Sequence, residues 1–338
     1  MKKTLVALAV LAATGTAFAQ SSVTVSGKYR IAYDSNENHD GTKTQGVGVT
    51  DGDIVFGSVE DLGAGMRASV SMAVRLRGRG AALDSADTGA GVRARDASVS
   101  LSGGFGTVTM GSIDVGFLHS AGLTSLPTHG LDSDPGQNAV LWVGGNADLL
   151  RYTTPNMSGF TAYIGLLDAV GAGGAQSTAA MADATVVGAR YTAGPVLAVA
   201  DYTTWDANTP AAGVIAPDNR FRVAGTYNLG VAQLGIGYSD LKFANGGKRT
   251  ETVASVTVPL GQVSLGLNLA RGENDRASRL IAAGTLTDGT NEGTEAIVKY
   301  DLSKRTFLAA AYQATKVAVP VAGKTDANKF RVQIGHSF

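Results

Sequence analysis

Residues 65–80 read GMRASVSMAVRLRGRG. The even positions hold Met66, Ala68, Val70, Met72, Val74 and Leu76, and the odd positions hold Arg67, Ser69, Ser71, Ala73, Arg75, Arg77 and Arg79. A two-residue period sustained over this length belongs to a half-buried strand, because a helix would repeat every 3.6 residues. One face of that strand is apolar and the other cationic. The fold turns on which environment the arginine face looks into.

The same period recurs along the chain. SVTVSGKYRIAYD (22–34) sets Val23, Val25, Tyr29, Ile31 and Tyr33 against Thr24, Ser26, Lys28 and Arg30. Further alternating segments lie at 53–60, 95–102, 106–112, 146–154, 159–166, 185–192, 195–204, 219–228, 231–240, 249–259, 262–271, 293–302, 305–313 and 329–338, giving sixteen strands in all. Turns of two to five residues follow the even-numbered strands. Long polar loops follow the odd ones, at 35–52, 80–91, 113–145, 167–184, 206–218, 242–249, 272–292 and 316–328. An even strand count with loop length sorted by side predicts an all-β fold, an antiparallel transmembrane β-barrel with long external loops and short periplasmic turns. A soluble sandwich has no reason to sort its loops in this way. Strands of about 9–11 residues suit a tilted membrane crossing, and closure removes the sheet edges that lipid would not tolerate.

The chain opens MKKTLVALAVLAATGTAFAQ: two lysines, a short apolar run and Ala17-Phe18-Ala19. This pattern predicts a secretory signal peptide over residues 1–19 and a single barrel domain over 20–338. The full chain has 28 basic and 28 acidic residues. Loss of Lys2 and Lys3 with the leader leaves it slightly acidic, which argues against a nucleic-acid partner. There is no cysteine, so a large hydrogen-bonded architecture must do without disulfides.

Several stretches carry a resemblance: SVEDLGAGMRA (58–68), SLSGGFGTVTMGS (100–112), LRYTTPNMSGF (150–160), YDLSKRT (300–306) and the terminal FRVQIGHSF. Together, in this order, they look like the Gram-negative porin family of beta-proteobacteria. The resemblance implies an outer-membrane homotrimer of sixteen-stranded barrels among lipid and lipopolysaccharide. Small hydrophilic solutes and ions would diffuse passively through each barrel, without a cofactor. It also implies that the third long loop, 113–145, folds inward as a constriction. That loop carries Asp114, Asp132 and Asp134, with Asp148 just beyond it. In the family, acidic groups here face basic ones on the wall, and such charge rings set ion preference.

The family's wall arginines match Arg151 and Arg95. Alternation places Arg151 opposite Leu150 and Tyr152, in the lumen. Arg95 shares parity with Val99 and Leu101, so a lumen position there requires a bulge or packing against the inner loop. Asp53 and Gly57 stand where the family usually has basic residues, and Arg30 where it often has an acidic one.

Alternation places Lys28, Arg30, Arg67, Arg75, Arg77 and Arg151 on the polar face, with Asp53 among them. Arg67 is expected near the periplasmic mouth, Arg75 and Arg77 in the upper lumen, and Arg79 at the external rim. The excess of cations predicts a mild anion preference. Most strand tyrosines share parity with the apolar face, which counts against a sugar channel lined by aromatic residues.

No catalytic or metal site is expected. His119, Ser120, His129 and Asp132 lack the G-x-S-x-G elbow of a hydrolase. Asp132 and Asp134 in LDSDPGQN lack the closing Glu of a calcium loop, and fit an Asx-rich turn before Pro135. A substrate-specific channel and a barrel serving mainly as an adhesin are the competing readings.

Overall fold

The computed structural model describes residues 22–77, 91–114, 123, 126, 146–168, 184–206, 217–275, 289–321 and 324–338. These form β1 (Ser22–Glu37), β2 (Lys43–Gly63), β3 (Met66–Arg77), β4 (Gly91–Gly103), β5 (Gly106–Asp114), β6 (Asn146–Thr153), β7 (Phe160–Asp168) and β8 (Ala184–Ala193). The second half contributes β9 (Val196–Trp205), β10 (Pro217–Asn228), β11 (Gln233–Phe243), β12 (Lys248–Leu260), β13 (Val263–Asp275), β14 (Gly289–Asp301), β15 (Thr306–Val321) and β16 (Lys324–Ser337). Each strand pairs antiparallel with its sequence neighbours, and β1 closes on β16, giving the sixteen-stranded barrel that the alternation predicts.

Across the middle of the strands the outward face is apolar. Met72, Leu150, Ile164, Leu269, Val298 and Phe330 are exposed on it, while their strand neighbours turn inward. An arginine among them near the bilayer midplane would cost about 2–4 kcal/mol. The arginine face of β3 therefore looks into the lumen. Tyr163 departs from the tyrosine pattern by facing inward across Gly188, where a Cβ would stand against its ring.

Two expected long loops are largely strand, and a third is partly so. β1 and β2 remain paired from Ser22↔Val59 to Glu37↔Lys43, so most of 35–52 is a projecting hairpin. The region 316–328 likewise lies largely within strands, and in 242–249 the strands run up to a turn over 244–247. Beyond the membrane both faces of a strand meet water, so the hydropathy period fades while the backbone ladder continues. At the first hairpin's tip the Thr42 amide and hydroxyl donate to Asp40 Oδ1 at 2.8 and 2.6 Å. These bonds hold the Asp40 carboxyl below its ordinary range.

The closing seam is bonded at both ends. Gly27 N donates to the Phe338 carbonyl and Phe338 N to that of Gly27, at 2.9 and 3.0 Å. Farther along, Arg331 chelates Asp34 through Nε and Nη2 at 2.7 and 2.8 Å.

Candidate functional site

The lumen face of β1–β4 carries the cations expected from alternation, held around two carboxylates. Lys28, Asp53 and Arg75 are successive cross-strand partners. Arg75 Nε donates to Asp53 Oδ1 at 3.1 Å, and Arg95 Nη1 donates to Asp53 Oδ2. Lys28 Nζ lies 2.7 Å from Asp51 and 3.6 Å from Asp53, and Arg30 lies 3.6 Å from Asp51. Asp53 is almost fully buried beneath these groups. A buried carboxylate is tolerable only when hydrogen-bonded and charge-paired, and this one has three cations.

Two bulges make the cluster. Arg30 pairs with Asp51 and Ile31 with Val49, leaving Thr50 as the extra residue in β2. Met72 pairs with Ala97 and Val74 with Ala94, so Arg95 and Asp96 together oppose Ala73. The second bulge resolves the parity conflict at Arg95, because an extra residue switches the faces of the strand beyond it. Of the remaining predicted residues on this side, Arg67 is exposed at the short-turn end, opposite Asp61. The backbone of Arg77 pairs with Gly91. Arg79 lies outside the described residues.

Arg151 is on β6 with its side chain inward, between outward Leu150 and Tyr152. Its Nε is buried and has no hydrogen-bond partner among the described residues. The backbone of Asp114 pairs with Asn146 at the end of β5. Asp132 and Asp134 fall outside the described residues. Asp148 is exposed and alternates with buried Leu149, on the outward side of β6.

The third loop enters the barrel at the two positions described. A Cβ on lumen-facing Gly235 would come within 2.9 Å of Leu123 Cδ2, and one on Gly266 within 2.8 Å of Leu126 Cδ1. Leu123 itself is buried. These leucines lie against β11 and β13. In a ring of sixteen strands β11 stands eight positions from β3 in either direction, so the loop residues rest on the wall facing the arginine strand.

That far wall holds a second charged array, which the reading of residues 65–80 did not extend to. Arg222 chelates Asp201 at 2.8 and 2.5 Å. Arg249 pairs with Glu251 and donates to Asn274 Oδ1 at 2.8 Å. Arg220 stacks over the Trp205 ring at 5.4 Å. Part of the signal was present in the sequence: NRFRV (219–223) sets Arg220 and Arg222 against Phe221 and Val223, whereas RTETV (249–253) has only threonines between Arg249, Glu251 and Val253.

The closed sixteen-strand ring, the polar charged interior and the two loop leucines inside the lumen are those of a diffusion channel. The Gram-negative porin profile matches residues 4–318. This chain belongs to that family. The porin is similar to outer membrane porin protein 32 of Delftia acidovorans, with 30% identity over 289 residues, covering 78% of this chain and 77% of the relative. Its barrel resembles the anion-selective porin from Comamonas acidovorans, at a TM-score of 0.73 and 22% identity, over 94% of this chain and all of the other. It also resembles the trimer form of OmpT from Vibrio cholerae, at a TM-score of 0.63 and 13% identity, over 94% and 99% of the two chains. The porin is a channel of the Gram-negative outer membrane, open to diffusion through its lumen.

Proposed function

We propose that this porin passes small hydrophilic solutes passively, with a mild preference for anions. The observation that carries the preference is Arg151, a lumen-facing guanidinium with no acidic partner among the described residues. On the opposite side, among the described residues, the three carboxylates Asp51, Asp53 and Asp96 stand beside the four cations Lys28, Arg30, Arg75 and Arg95. A cationic surplus at a narrow, low-dielectric passage raises the local concentration of anions. The anion-selective character printed for the Comamonas structure supports the same sign.

The reading extends to the rest of the molecule. The mature barrel begins at Gln20 and acts as one domain, without catalysis, cofactor or metal. It assembles as a homotrimer, as the Vibrio structure's trimer form suggests, in lipid and lipopolysaccharide. Selectivity is set by Arg30, Arg67, Arg75, Arg77, Arg95, Arg151 and Lys28 against Asp53 and the third-loop Asp114, Asp132 and Asp134.

Reversal potential across a planar bilayer in a salt gradient tests this directly. The expected sign is anionic, and a cation-selective sign overturns the preference. Absence of conductance from correctly inserted protein overturns passive diffusion itself.

A further inference from the structure

We propose that Phe307 is a positioning residue for ion selectivity, whose ring holds the Arg30 guanidinium away from the carboxylate that would otherwise neutralise it. This role rests on the anion preference proposed above, and it adds a neutral residue to the charged set that shapes that preference.

The starting point is an aromatic ring on the wet side of the wall. Phe307 alternates with outward Leu308 and shares parity with buried Ala309 and Ala311, so its side chain faces the lumen. It is the second residue of β15, close to the short-turn end of the barrel. Lumen positions of a porin are ordinarily polar, and a ring there forgoes the lipid it would meet outside. Two cations give this ring a task. Arg30 Cζ lies 5.7 Å from the ring centroid and Lys299 Nζ 5.6 Å from it, within the range at which the ring quadrupole attracts a positive charge. The wall beneath is cut away to seat the ring. Gly335 is the cross-strand partner of both Phe307 and Arg30, and a Cβ on it would stand against the Phe307 ring. Asp301, Phe307, Gly335 and Arg30 thus form one row across four strands, from β14 to β1.

The two cations differ in their other contacts. Lys299 Nζ lies 2.8 Å from Asp301 Oδ1, so the ring adds little to where it sits. Arg30 stands 3.6 Å from Asp51, a carboxylate that Lys28 approaches more closely, at 2.7 Å. Asp51 belongs to β2, whereas Phe307 lies beyond β16, so the two draw the guanidinium toward opposite flanks of β1. Stacking fixes the guanidinium plane, and at an exposed site it favours the stacked rotamer about two- to fivefold. Without the ring, Arg30 closes on Asp51. Its field is then cancelled at short range, and a passing ion feels one cation fewer.

The test is the reversal potential of the purified porin in planar bilayers under a potassium chloride gradient, read as an anion-to-cation permeability ratio. Arg30→Gln sets the scale by removing the charge itself. Phe307→Leu changes no charge and should give roughly half of that drop, in line with a two- to fivefold loss of the stacked rotamer. Phe307→Tyr keeps the ring face and should retain the original ratio. If Phe307→Leu does not insert, a ring-fluorinated phenylalanine at position 307 keeps the shape while draining the negative charge from the ring face. It should lower the ratio as Phe307→Leu does. A ratio unmoved by Phe307→Leu, or by Arg30→Gln, overturns the positioning role. A fall with Phe307→Leu that fluorination does not reproduce assigns the ring to bulk packing, and also overturns it. Failure of the anion preference reads differently: the unsubstituted porin is then cation-selective, while Phe307→Leu still moves the ratio in the same direction as Arg30→Gln.

Discussion

The two charged walls of this lumen are built from the same residue types and differ in how much water they see. On β1–β4, the Lys28, Arg75 and Arg95 side chains keep 37%, 24% and 22% of their exposure. On β10–β14, Arg249, Glu251 and Glu295 keep 0%, 2% and 0%. Arg222 and Asp201 are buried with them, and the third-loop Leu123 and Leu126 rest lower on the same wall. Where a charge stays wet, its field reaches passing ions and salt screens it. Where it is dry, an ion pair fixes geometry, and removing one partner leaves the other stranded. On the proposed reading the near wall serves selectivity, while the paired far wall serves rigidity.

This contrast can be broken by substitution. Arg222→Ala should have the largest effect, because it leaves Asp201 buried and uncompensated. A loss of about 3–5 kcal/mol is expected in denaturant unfolding of the detergent- or lipid-folded barrel. A loss below about 1 kcal/mol would show that this pair is solvated after all. Replacing both partners, Arg222→Met with Asp201→Leu, should recover most of that loss, since a buried ion pair and a matched apolar pair are of similar worth. On the near wall, Asp53→Asn should cost less, about 1–2 kcal/mol, because water reaches the three cations it leaves behind. It should also move the reversal potential further toward anions. Arg151→Gln should leave stability within about 0.5 kcal/mol and shift the reversal potential toward cations. A shift with the opposite sign would remove Arg151 from the selectivity assignment.

Much of the barrel was legible because a membrane crossing imposes one pattern on every strand. Outward residues must be apolar, so Met66 to Leu76 could be assigned by parity alone. The same logic separates Arg151 from outward Leu150 and Tyr152, and Lys28 from outward Tyr29. It failed where lipid stops imposing the pattern, which is why the paired residues 35–37 and 43–52 read as loop. It also failed at Arg95, whose facing depends on one extra residue in β4. Charge compensation was the least legible feature. That Asp53 lies beneath Arg75 and Arg95, or Asp201 beside Arg222, is a matter of register between strands, and parity within one strand does not contain it. Arg220 and Arg222 were within reach of the alternation argument. NRFRV is a shorter run than residues 66–76, and it carries no family motif to draw attention to it.

The seam between β1 and β16 bears on how the ring closes in time. Its Arg331–Asp34 chelate joins residues 297 apart in sequence, whereas every other pair of neighbouring strands is consecutive in the chain. Loop-closure entropy rises only logarithmically, by about 0.6 kcal/mol per doubling of length. Joining the two termini thus costs roughly 2–3 kcal/mol more than zipping a hairpin of some twenty residues. A charged hydrogen bond contributes about 1.5–3 kcal/mol. One arginine at the seam is of the size needed to offset the distance, turning the last pairing from the weakest step of assembly into a latch.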